Sequence, residues 1–306
     1  MKARLPHLLG LLAFAASLGY LGMVAVRHAS AFPAVTWTSG TVLALVSSTG
    51  LYVTMLLAGA TAWYLLLRST GSPASLAAVL SVCGLAQPAK YLPGNVGQYL
   101  GRAALARQQG IPLHGSALTL VFETSGLIVT AAAFAVLTGF DRSAAAPSVE
   151  AWKVALLAAA AVAAPFLLVH ILERWFAGAL QKRLGVTRLP RPPVLTLGAC
   201  LTLYAACFLC GGFAFDQLAR GLFGAGTGIS WLHVLPAFAL SWVAGFVTPG
   251  APAGLGVREA LLVGGTASLY GPGAALSTAL AFRLITVLGD GLAFLAGAAL
   301  RPRSPD

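Results

Sequence analysis

The chain has 306 residues, 58% hydrophobic and only 9% charged, with a formal net charge of +11 and a mean hydropathy of +0.85. A water-facing domain carries roughly 25% charged side chains, so this composition excludes a soluble enzyme and points to a protein that works inside a lipid bilayer. The basic residues are scattered between apolar runs rather than gathered on a groove or platform, which argues against a nucleic-acid partner and assigns them to membrane head groups.

In chain order, the first apolar run is 8–26, preceded by Lys2 and Arg4 and followed by Arg27 and His28. Ala29-Ser30-Ala31 resembles a signal-peptidase site, but the run is longer than a secretory core, so a retained signal-anchor helix is expected. Runs 41–67, 115–140, 151–172, 194–218 and 274–300 complete six stretches long enough to span the hydrocarbon core. Two further stretches are broken in the middle: 76–109 by Pro88, Pro93 and Gly94, and 238–269 by Pro249, Gly250, Pro252, Gly254 and Gly256. Proline removes a ladder hydrogen bond and clashes with the preceding turn. In hydrocarbon such a break is tolerated only where protein or trapped water satisfies the backbone. Each is expected to be a re-entrant helical hairpin. The predicted fold is an all-α polytopic membrane protein, a single integral membrane domain of about six spans and two re-entrant hairpins.

Charge sets the expected topology. With Lys2 and Arg4 inside, Arg68, Arg102, Arg107, the basic linker 173–193 (Arg174, Lys182, Arg183, Arg188, Arg191) and Arg301 and Arg303 all fall on the cytoplasmic side. Asp141, Arg142, Glu150, Asp216 and Arg220 fall outside. This satisfies the positive-inside rule in a bacterial inner membrane, with both termini cytoplasmic.

An internal repeat is also expected. PGNVG at 93–97 resembles PAGLG at 252–256, and Pro112, Leu120, Phe122 and Phe134 align without gaps with Pro272, Leu280, Phe282 and Phe294. Repeat one covers about 41–150 and repeat two about 194–300. Because they enter from opposite faces they form an inverted repeat, an architecture of transporters with a site near the midplane.

Charge within apolar runs is the sharpest chemical signal, since each such side chain costs about 2.5–3.5 kcal/mol at the centre of a span. Lys90, Glu123, Arg258, Glu259, Arg283 and Asp290 are placed this way. Glu123 and Arg283 occupy equivalent repeat positions, so an ion pair or a shared hydrated cavity is expected between them; a pair that only fixes helix register is the alternative. The hairpin loops, with Pro93, Gly94, Asn95 and Gly97 in one and Pro249, Gly250, Pro252, Gly254 and Gly256 in the other, let backbone approach a ligand closely. Half-helix amino termini there, with Lys90, Arg102 and Arg258 nearby, favour a lipid phosphate. The bland alternative is that the loops are kinks and the cations snorkel to head groups. Cys207 and Cys210 form a C-x-x-C within an apolar run and read as packing residues. No catalytic nucleophile, metal-ligand pattern or cofactor motif is visible, and the Gly-rich stretch 221–228 lacks a phosphate-loop ending.

PGAPAGLGVREALL at 249–262 and KYLPGNVGQYLGR at 90–102 resemble the lysylphosphatidylglycerol synthase transmembrane region, a family of flippase-like membrane domains. The resemblance covers nearly the whole chain, with PxGLGVREA the best motif; where the family commonly has PGG, this chain reads PGAPAG. Carried over by residue, it points to Pro93, Gly94, Gly97, Arg102, Gly254, Gly256, Arg258 and Glu259. It implies a flippase-like fold without the aminoacyl-transferase domain, and hence a translocase of an anionic phospholipid or polyprenyl-linked lipid. Membrane lipids are the implied partners, together with a glycosyltransferase or lipid synthase. Two alternatives stay open: a lipid-modifying or glycosyltransferase-like enzyme using Glu259 or Glu123 as base, and a non-catalytic membrane partner of such an enzyme.

Overall fold

The computed structural model describes residues 37–91, 97–137, 151–175, 188–226, 228–248 and 252–301, with a few isolated positions besides. The expected span 8–26, most of the basic linker, and the loop residues Pro93, Gly94, Asn95, Pro249 and Gly250 lie outside them. The described residues form nine α-helices and no strand: α1 (Ser39–Ser69), α2 (Leu76–Ala86), α3 (Gly97–Gln108), α4 (Leu113–Leu137), α5 (Ala151–Trp175), α6 (Val194–Phe223), α7 (Leu235–Val247), α8 (Val257–Tyr270) and α9 (Pro272–Ala299).

Four of these helices, α1, α4, α6 and α9, are long and apolar enough to cross a membrane. A fifth, α5, runs unbroken for 25 residues through Pro165 over the fourth expected span. The outer surface fits a hydrocarbon solvent. On α9, Leu284, Leu288, Leu292 and Leu295 are half or more exposed, while Arg283, Val287, Asp290 and Gly297 are buried on the opposite side. A soluble helix has the reverse pattern.

The two Pro/Gly-broken stretches are broken in the structure. After α2 the chain tightens into a 3₁₀ turn, Gln87–Tyr91, because Pro88 cannot donate to the α-helical ladder; the Gln87 N–H already donates to Gly84 O. At the end of α7, Thr248 is extended (φ −72°, ψ 115°), as the residue before a proline is driven to be. A second 3₁₀ turn, Pro252–Gly254, follows, with Ala253, Gly254 and Gly256 all at positive φ. The four arms have 11, 12, 13 and 14 residues. At 1.5 Å rise they are roughly 16–21 Å long, too short for any one to cross a core about 30 Å thick. In each stretch the two arms pack against each other. In the second the fold-back is direct: a Cβ on Gly265 of α8 would sit 2.5 Å from Ala237 Cβ of α7.

The longest helix–helix contact joins α1 to α6. It is a small-residue interface, with Gly221 against Ala44, and Thr41 Oγ1 and Ser48 Oγ donate across it to Gly221 O and Ala214 O at 3.0 and 3.1 Å. Close backbone approach and interhelical hydrogen bonds hold helices together where apolar burial gives no net drive. Around this pair the contacts have a regular pattern. The broken arms α2 and α3 are followed by α4, as α7 and α8 are followed by α9. Helix α9 packs on α2, and α4 packs on α7. Tyr52 of α1 rests on Gly289 of α9, and Tyr204 of α6 rests on Gly126 of α4.

Candidate functional site

The turns of the two broken stretches and the helices around them line a partly open cavity of about 220 Å³, space for on the order of seven waters. Lys90 lines it from the first 3₁₀ turn, Arg102 from α3, Glu123 from α4, Arg258 from α8 and Arg283 from α9. Tyr52, Gln87, Gln98, Tyr99, Trp242 and Phe246 are among its polar and aromatic lining. Six of the seven charged site candidates are arranged in three linked groups.

In the first group Lys90 forms an ion pair with Asp290, which is 3% exposed. The hydroxyls of Tyr52 and Tyr91 donate to the two Asp290 carboxylate oxygens at 2.8 and 2.6 Å, and Lys90 Nζ also donates to Tyr52 Oη at 3.1 Å. The second group is a bidentate fork, with the two Arg102 Nη atoms each donating at 2.7 Å to a different Glu123 oxygen. The Arg102 guanidinium lies over the Trp63 ring at 4.1 Å, and Trp63 Nε1 donates to Thr119 Oγ1 at 3.0 Å. Both charges are almost fully buried. In the third group Arg283 Nε stands 3.7 Å from Glu259 Oε1 and its Nη1 donates to Ala253 O at 3.2 Å. The other Glu259 oxygen accepts the Gly256 N–H at 2.7 Å, satisfying a donor at the amino terminus of α8 from the third helical position.

Glu123 and Arg283 therefore line one cavity but do not pair with each other; each bonds within its own half. Helix α4 packs on α3 and α9 on α8, which brings Glu123 and Arg283 each within reach of the arm that precedes its helix. The resulting pairs have opposite polarity. In the first half the cation is on the broken stretch and the acid on the long helix; in the second the order is reversed.

Arg258 differs from the rest. It stands 5.8 Å from the Trp242 ring centroid, and among the described residues no carboxylate lies within ion-pair distance of it. Its stem and Nε pass between Gly245 and Gly254: a Cβ at either would come within 2.5–2.8 Å of Arg258 atoms. Of the predicted loop residues, Gly254 thus makes room for a cation, Gly256 starts α8, and Gly97 opens α3 without reaching the cavity wall.

Tyr52, Tyr91, Trp63 and Trp242 are site residues that the pattern of charges did not mark. An acid in an apolar run signals that it needs donors, but not which hydroxyls supply them. No known protein-family model matches the chain, and no curated protein is similar to it.

Proposed function

We propose that the protein is a lipid translocase of the bacterial inner membrane, with both termini cytoplasmic, moving an anionic phospholipid or polyprenyl-linked lipid between leaflets. The head group passes through the central cavity while the acyl or prenyl chains stay in the surrounding hydrocarbon. The observation that carries the proposal is a cavity lined by four cationic side chains among helices whose outer faces are leucine-rich. A chain does not hold charge at such a place cheaply, and a charged, hydrated path is what a head group needs.

The contact pattern supports an inverted repeat. Exchange α1 with α6, α2 with α7, α3 with α8 and α4 with α9, and the neighbour relations are preserved, including the crossed Tyr52–Gly289 and Tyr204–Gly126 contacts. Two halves related in this way can rock against each other about the α1–α6 seam, exposing the cavity to one leaflet and then the other. No nucleotide-binding motif accompanies the fold, so the exchange is passive or ion-coupled. An enzymatic role is less well served, because both candidate bases are engaged: Glu123 by Arg102, and Glu259 by the α8 amino terminus and Arg283.

The test is reconstitution of purified protein into liposomes carrying fluorescent lipids. Protein-dependent loss of leaflet asymmetry is expected for an anionic phospholipid or a polyprenyl-linked lipid. Leaflet exchange no faster than in empty liposomes for both classes refutes the proposal.

A further inference from the structure

The cavity brings together four cations, Lys90, Arg102, Arg258 and Arg283, and the three carboxylates Glu123, Glu259 and Asp290 that bond to them. One positive charge is left over, and the loop segments 92–96 and 249–251 contain no ionisable residue to offset it. The surplus is localised. Lys90 is held by Asp290 and Tyr52. Arg102 has both terminal nitrogens committed to Glu123, whose carboxylate neutralises it, and only its Nε is without a hydrogen-bond partner among the described residues. The second half is under-satisfied. Arg283 is 6% exposed, yet among the described residues its Nε and Nη2 have no hydrogen-bond partner, and Glu259 stands off at 3.7 Å with its other oxygen tied to Gly256. The Arg258 Nε is likewise buried without a hydrogen-bond partner among the described residues, in a slot that Gly245 and Gly254 leave open.

Buried donors on guanidinium groups are costly unless an acceptor meets them. We propose that Arg258 and Arg283 hold a phosphate group bearing a single negative charge, that of a lipid phosphodiester, whereas Lys90 and Arg102 do not contact it. One monoanion neutralises the cavity; a phosphomonoester dianion overshoots and a head group with no phosphate leaves the charge unmet. Planar guanidinium forks suit phosphate oxygens better than the point charge of lysine does. The wall formed by Tyr99, Trp242 and Phe246, with Gln87 and Gln98, then faces the rest of the head group. The inference rests on the translocase reading for the lipid nature of the ligand, but the anion site itself is tested by binding alone.

Purified protein in an uncharged maltoside detergent is titrated with four probes: dioctanoyl phosphatidylglycerol (a monoanionic diester), dioctanoyl phosphatidic acid (a monoester), dioctanoylglycerol and inorganic phosphate. Native mass spectrometry and the shift of the unfolding midpoint report binding. The expected result is saturable binding of phosphatidylglycerol, weaker binding of phosphatidic acid and none of dioctanoylglycerol. Arg258→Gln is expected to weaken phosphatidylglycerol binding about tenfold or more, while Arg191→Gln, in an outer pair with Glu173, leaves it unchanged. Should Arg258→Gln not fold, Arg258→Lys carries the test and is expected to bind more weakly than wild type, since it loses the fork. Equal binding by the Arg258 variant, or phosphatidic acid binding more tightly than phosphatidylglycerol, overturns the proposal. Inorganic phosphate binding as tightly as phosphatidylglycerol assigns the site to a free anion and overturns its lipid part. Binding that follows the expected order without leaflet exchange in liposomes retires the translocase and keeps the anion site; exchange of phosphatidylglycerol at wild-type rate by Arg258→Gln does the reverse.

Discussion

Replacing Glu123 with glutamine removes the acid from the bidentate ion pair of the cavity while keeping its shape. Of the two 2.7 Å hydrogen bonds, one is lost because an amide nitrogen cannot accept and the other now meets a neutral oxygen, and Arg102, 6% exposed and stacked on Trp63, is left as a buried cation. Breaking a buried pair from one side costs about 3–5 kcal/mol, because the remaining charge keeps its desolvation penalty without its partner. The Trp63 ring offsets part of that, about 2 kcal/mol at most, so a loss near the lower end, about 3 kcal/mol, is expected. The double variant Arg102→Gln/Glu123→Gln removes both charges and should recover most of the loss, with a coupling energy of up to about 3 kcal/mol. By contrast, Arg191→Gln breaks an outer pair whose arginine side chain is 50% exposed and should cost less than about 1 kcal/mol. Reversible unfolding by steric trapping in bicelles gives each value. A Glu123→Gln loss below about 1 kcal/mol, or additive effects of the two single changes, would show that water screens the pair and that the packing deduced around Trp63 is wrong.

The other predictions concern packing and the second buried acid. A Cβ on Gly84 would collide with the Ala293 carbonyl oxygen of α9, so Gly84→Ala is expected to destabilise by about 1–3 kcal/mol through forced separation of α2 and α9. Gly50→Ala, in open space on α1, should be neutral or stabilising by the same unfolding assay. Tyr91→Phe removes one of the two hydroxyl donors to Asp290 and should cost about 1.5–3 kcal/mol. An effect of that size should vanish in an Asp290→Asn background if Tyr91 acts through that carboxylate.

Much of the fold is legible in the sequence because prolines and glycines punctuate it. Pro88 and Pro249 each end a helix within a residue or two, and the lengths of the apolar runs match α1, α4, α6 and α9. The six intramembrane charges are legible as a set for the same reason: apolar runs do not carry charge without purpose. The choice of partners was not legible. Asp290 takes Lys90 and Tyr52, 200 and 238 residues earlier by sequence, whereas Glu123 takes Arg102, only 21 residues earlier. Which side chains meet depends on helix rotation and crossing, which a hydropathy pattern does not specify. Equivalence within a repeat suggested Glu123 opposite Arg283, but each of these two bonds to the arm that precedes its helix, while Asp290 of α9 reaches across to Lys90. The surplus charge at Arg258 emerges only once every other cation in the cavity has been assigned an acid.

The central physical claim is that both broken stretches carry their turns to the middle of the bilayer, where water reaches them. Spin labels at Gln98 and Phe246, one beside each break, in a background lacking Cys83, Cys200, Cys207 and Cys210, measure this in liposomes by relaxation with oxygen and with a water-soluble nickel chelate. Both labels are expected at hydrocarbon mid-depth yet open to the chelate, while a label at Leu288 on the leucine-rich face of α9 is open to oxygen alone. Labels at Gln98 and Phe246 that sit at head-group depth, or that the chelate never reaches, would contradict the account.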